Sequence, residues 1–324
     1  MKILKQILFK KRQKLSTSIL KMLRKSIPLW LAIFLTVDSI ALGVLADQLI
    51  MRRQVNRLQR QLLEIKNPEL LVKEVTAQVL PSGGYTTSLK WGDIGKKLVD
   101  SGAIDADKFK QIHKSNIDGQ QDLDILDGNS NKFIAINENN SRLVVNLLWA
   151  LGLVNKSKVL DEGPMKSGET DAGNFASTAG WTLGTKPAME LYSSQELIPL
   201  TPEQQELVKE IAENVYRPCC GNSTAFPDCN HGIAALAYIE LAVANGLTEN
   251  QIYKDILAMN SFWFPDTYVE MAVYFQKQQG LAWNKVDPKV ALSKDYSSAQ
   301  GAARINQAVQ GVPGIQSRGG SCGA

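Results

Sequence analysis

A net positive charge is what most of this sequence lacks. The chain carries a net +4 overall. Residues 1–50 alone account for about +7, because nine Lys and Arg crowd into residues 1–27 and only Asp38 and Asp47 oppose them. The rest is mildly acidic. A nucleic-acid partner needs a basic face on the folded part, so that class is excluded. Histidine is scarce, with two in the chain, and none of the four cysteines precedes Cys219. The first two thirds of the chain therefore hold together without disulfides, as a core of this size can. No nucleophile-elbow pattern is present, and Cys229 and His231 stand too close along one helical turn to converge as a hydrolase pair. His113 reads as a surface residue. A composition of 44% hydrophobic and 21% charged residues excludes wholesale disorder.

What the sequence does have begins with a nearly unbroken apolar run from Ile27 to Ala46, about the 20 residues that a bilayer-crossing helix needs. The basic segment 1–26 precedes it, and Trp30 lies where an interfacial ring belongs. By the positive-inside bias the N-terminus is expected in the cytoplasm and the large C-terminal part outside, giving a single-pass protein of the cell membrane. Val44-Leu45-Ala46 leaves open a cleaved signal peptide instead. Asp38 is costly inside a bilayer and offers a pairing point for another membrane helix.

Beyond an anchor over 27–50, residues 51–84 read as a helical stalk and linker, with Val55, Leu58, Leu62 and Ile65 at 3-4-3 spacing. Pro81-Ser82-Gly83-Gly84 marks the expected domain boundary. Residues 85–200 read as a mixed helical and irregular subdomain. It has a helix over Trp91–Val99, another from Asp105 to Ile112, and a strand over Lys132–Ile136. A buried helix over Leu143–Leu151 closes at Gly152, and a long irregular loop spans 161–186. Residues 201–312 read as consecutive antiparallel helices. The first opens at the capping box Thr201–Gln204. The others run from Asp228 to Ala244, from Thr248 to Met259, and from Asp266 to Gly280. The aromatics of Ser261-Phe-Trp-Phe-Pro265 read as core at a helix junction. The expected fold class is mainly α, ending in a helical bundle with a cysteine-bearing interhelical loop and a glycine-rich tail over 313–324.

That loop runs Arg217-Pro-Cys-Cys-Gly-Asn-Ser-Thr-Ala-Phe-Pro-Asp-Cys-Asn-His231. With Asp228 as helix cap, Cys229 and His231 fall in a first turn, where the helix dipole favours a thiolate. Three chemistries follow. Cys219, Cys220 and Cys229 suit dithiol/disulfide exchange. Together with His231, and Cys322 from the tail, they offer soft ligands for zinc or copper. As ordinary disulfides in an oxidising compartment they would staple a cell-envelope scaffold or interaction protein instead.

Across about residues 205–275, the loop, its alanine-rich helix and Thr248-Glu-Asn-Gln-Ile252 resemble the membrane-anchored thiol-reductase subunit of cytochrome c maturation. The resemblance implies a protein thiol as substrate and Cys219 in one reactive position. This chain departs from that family's Cys-x-x-Cys pair, having Cys219-Cys220 and a distant Cys229.

Overall fold

The structure, a computed structural model, describes residues 28–66, 68–114 and 120–315. The basic segment expected over 1–26 and Cys322 lie outside the described residues. The chain divides into two units, 1–66 and 67–324.

The described residues of the first unit form one helix, α1 (Leu29–Lys66). Within its stretch Ile33–Val55 an 18-residue window has a mean hydropathy of 1.7 and is not buried. At 1.5 Å per residue that stretch is long and apolar enough to cross a bilayer. Asp38 lies within it and is exposed. The anchor and the part of the expected stalk up to Lys66 are thus one continuous helix.

The second unit opens with α2 (Pro68–Val79), which buries Leu71, Val72, Val75 and Val79. This apolar face, repeating on the helical period, seats α2 within the folded body. The expected boundary at Pro81–Gly84 is therefore only a turn inside the unit. It leads to β1 (Tyr85–Gly92), antiparallel to β2 (Ser130–Ile136) in a two-stranded sheet. Thr87, Leu89 and Trp91 alternate inward along β1. Period two wins over the helix expected from Trp91, and α3 (Ile94–Asp100) starts only after Gly92 turns the chain at φ +55°. Asp105 caps α4 (Ala106–His113) by accepting from the Lys108 N–H at 3.1 Å. His113 is buried, not on the surface. Its Nε2 lies 3.2 Å from Asn146 Nδ2, and burial, with Arg142 adding, lowers its pKa to about 4.

The core is organised around two helices. α5 (Ser141–Val154) is buried over nearly its whole length. It runs past Gly152, which was expected to close it. The glycine serves packing instead: a Cβ there would stand 2.2 Å from the Ile233 carbonyl oxygen. α6 (Pro202–Asn214) carries the expected capping box, with both bonds formed. Ile233 belongs to α7 (Asn230–Ala244), which is buried on all sides. α8 (Glu249–Trp263) is capped by Thr248 and extends a turn beyond Met259. α9 (Pro265–Gln279) ends at Gly280 in the left-handed region, and α10 (Ala299–Val309) packs on it. Because α5 lies along α7, residues 85–200 and 201–312 share one core rather than forming two subdomains. The fold is mainly helical.

Two buried carboxylates tie these elements. Asp255 on α8 accepts from the hydroxyls of Tyr85 and Tyr238, both at 2.6 Å, and from Gln251 Nε2 at 2.7 Å. Glu240 on α7 accepts from Asn155 Nδ2 at 2.9 Å. Burial pushes Glu240 up to about 7, partly offset by Ser157 and Asn155.

Two outcomes are expected. Gly152→Ala must push α5 from α7 and should destabilise the fold by about 2–3 kcal/mol, read as a lower midpoint in urea. Glu240 holds a proton in the folded state between its unfolded value near 4.5 and about 7, while the unfolded chain has lost it. Stability therefore falls as pH rises through that window. Glu240→Gln should match the parent protein near pH 4 and exceed it at pH 8 by on the order of 3 kcal/mol. Equal stability of the two proteins at both pH values would overturn this.

Candidate functional site

The site forms where the 215–229 connection joins α6 to α7. Its ordering group is Arg217, 1% exposed. Arg217 Nη1 donates to the Asn222 carbonyl at 3.2 Å. Nη2 donates to the Phe226 carbonyl at 3.1 Å and pairs with the Asp228 carboxylate. Nε donates to Cys229 Sγ at 3.0 Å. A buried cation is tolerated only when paired and hydrogen-bonded in this way. Gly232 makes room for it, since a Cβ there would stand 2.5 Å from Arg217 Cζ.

Asp228 is therefore not the helix cap. Its carboxylate is engaged by Arg217 and by Asn222 Nδ2, the latter at 2.9 Å. The cap of α7 is Cys229, whose sulfur accepts from the Gly232 N–H at 3.4 Å. Cys219 Sγ lies 3.4 Å from Cys229 Sγ, and Cys220 Sγ lies 3.8 Å from Asp228 Oδ1. The sulfurs of Cys219, Cys220 and Cys229 all lie within 4.8 Å of one another. All three are unbridged and part-buried. They share charge unequally. Hydrogen bonds from Cys219 and Cys220, with Arg217 beside it, hold the Cys229 thiol well below its ordinary value. Cys219 is pushed up by its bonds with Cys220 and Cys229 and by burial. The negative charge of the cluster thus settles on Cys229.

His231 sits in the first turn of α7, as expected, but it is not part of the sulfur group. Its ring lies 4.5 Å from Phe264 and 5.6 Å from Trp263, centroid to centroid. Burial lowers its pKa to about 4, so the imidazole is neutral.

Cys219, Cys229 and His231 line an open pocket of about 590 Å³. Trp149 and Asn146 of α5, and Trp181, line it as well. Trp149 Nε1 donates to the Ser177 carbonyl at 2.7 Å, and Trp181 Nε1 to the Ala103 carbonyl at 2.9 Å. The segment 161–186, expected as an irregular loop, holds short helical turns at Pro164–Ser167 and Ala176–Ala179. It brings Ala176, Gly180 and Trp181 to the pocket. Ser177 N donates to the Asp228 carbonyl at 3.1 Å, and Phe175 meets Phe226 edge to face at 5.3 Å. Sequence reasoning missed Arg217, Trp149 and Trp181. The length of the 161–186 loop was the one signal that pointed toward this wall. The Phe262-Trp263 pair is core, as expected, and also lines the pocket. No protein-family model, curated protein or solved structure matches the chain.

Carbamidomethylation of the reduced, metal-free protein, followed peptide by peptide in mass spectra, tests the charge placement. Cys229 should react with a pH midpoint well below its ordinary 9.0, as a thiolate does. Cys219→Ala and Arg217→Lys should each move that midpoint upward. A midpoint near 9 in the parent protein would overturn the assignment.

Proposed function

We propose that this is a membrane-tethered, extracytoplasmic protein that binds a soft metal ion, zinc or Cu(I), through Cys219, Cys220 and Cys229. The observation that carries the reading is the gathering of three sulfurs within 4.8 Å of one another by a short loop. Sulfurs bound to one zinc ion at about 2.3 Å stand roughly 3.8 Å apart, so small adjustments of this loop suffice. Thiolates suit both zinc and Cu(I). The Arg217 guanidinium offsets part of their charge. Three protein ligands leave a tetrahedral ion one open position, the pattern of sites that exchange ligands rather than merely brace a fold. The pocket beside Cys219 and Cys229 gives that position access. The apolar stretch of α1 supports the tether, and the basic N-terminal segment supports an outer location for residues 67–324. Asp38 is a pairing point for a second membrane helix.

A second reading, dithiol/disulfide exchange with protein thiols, is favoured by the 3.4 Å approach of Cys219 to Cys229. In that reading Cys229 attacks and Cys219 resolves. It accords with the resemblance to the thiol-reductase subunit, which implies Cys219 in one reactive position but gives no counterpart here for that family's second cysteine.

Full-length protein purified without oxygen should carry one zinc or copper ion per chain. Each of Cys219→Ser, Cys220→Ser and Cys229→Ser should lose it. A metal-free chain that reversibly forms a Cys219–Cys229 disulfide would replace the first reading with the second. Protease added to intact cells should degrade residues 67–324, and protection would overturn the outer location.

A further inference from the structure

The pocket has an unmet hydrogen-bonding group in its wall. His231 is 5% exposed and lines the pocket. Among the described residues its imidazole makes no hydrogen bond, and its ring nitrogens are not sealed off from the pocket. On the same wall, the Trp263 indole N–H is buried without an acceptor. Two other lining residues differ. Trp149 and Trp181 have committed their N–H groups to backbone carbonyls and pack against each other at 5.0 Å, so they present fixed ring surfaces. The volume of about 590 Å³ falls in the range of small-molecule sites, roughly 300–1,000 Å³.

We propose that this pocket binds a small, flat aromatic molecule carrying one hydroxyl or carbonyl head group. The ring system lies against Trp149 and Trp181, and the head hydrogen-bonds the His231 imidazole. The occupant then touches Cys219 and Cys229, which line the pocket, and not Cys220, which does not. Its assignment as the molecule on which the cysteine centre acts rests on the metal reading; the pocket itself does not.

The test uses the full-length chain in neutral-lipid nanodiscs and two water-soluble probes, 6-hydroxynaphthalene-2-sulfonate and naphthalene-2-sulfonate, which differ only in the hydroxyl. Calorimetry should show saturable 1:1 binding of both, the hydroxylated probe about five- to tenfold tighter. His231→Leu should abolish that preference, and Trp149→Ala should weaken both probes by about tenfold or more. In the unsubstituted chain, where no variant has to fold, saturating hydroxylated probe should slow alkylation of Cys219 and Cys229 but not of Cys220. No saturable binding below about 5 mM, or binding that leaves all three alkylation rates unchanged, would overturn the proposal. Retention of both affinities in a Cys219/Cys220/Cys229 triple serine variant would support the pocket even where metal binding has failed.

Discussion

The close approach of α5 and α7 at Gly152 and Ile233 is the constraint from which the rest of the folded unit follows. With a backbone carbonyl 2.2 Å from where a Cβ would be, neither helix can rotate or slide without a clash or a void, and interiors tolerate neither. α7 is buried around its whole circumference, so it is enclosed by other elements. α5, α6, α8 and the Ala176–Ala179 turn all pack against it. The seam also fixes the site. Asn146 and Trp149 stand on α5 one to two turns before Gly152, while Cys229 and His231 stand at the start of α7 just before Ile233. Packing that serves stability thus sets the width of the pocket.

At the mouth of that seam the connection 217–229 is ordered from within by one buried guanidinium. Arg217 reaches two backbone carbonyls, a carboxylate and a sulfur, so the loop closes around it instead of around an apolar cluster. Burying a charge this way adds little net stability, but removing any one partner leaves the others exposed to an uncompensated cation. Gly232 is the covalent concession to this arrangement. The loop therefore has little freedom to relocate its sulfurs independently of Arg217.

Much of this was legible in the sequence where the signals are local. The Thr201 and Thr248 caps, the Asp105 cap and the Gly280 stop depend on side chains three or four residues apart, and each stands where expected. The apolar run of α1 and the helical class follow from composition and period. What escaped depends on distant partners. Gly152 looks like a stop until Ile233 is packed on it. Asp228 looks like a cap until Arg217 claims its carboxylate. His113 looks exposed among lysines until Asn146 is found beside it. The boundary at 81–84 looked natural because turn residues are visible in sequence, whereas the burial of α2 against α9 is not. The cysteines were found because they cluster in sequence, and the tryptophans that line the same pocket were not because they arrive from 149 and 181.

The electrostatics of the cluster narrow what chemistry it can do. In a cysteine hydrolase the nucleophile is activated by a histidine that takes its proton and later returns it to a leaving group. Here His231 has its pKa lowered to about 4 and packs on Trp263 and Phe264, with no carboxylate hydrogen-bonded to it among the described residues. The anionic character of Cys229 comes from its sulfur neighbours and from Arg217, and an arginine cannot supply a proton near neutral pH. Such a centre favours a thiolate at Cys229 but offers no acid placed to protonate a leaving group. That combination disfavours hydrolysis and suits steps in which the incoming or departing partner is itself a soft, stable species, namely a metal ion or a thiol.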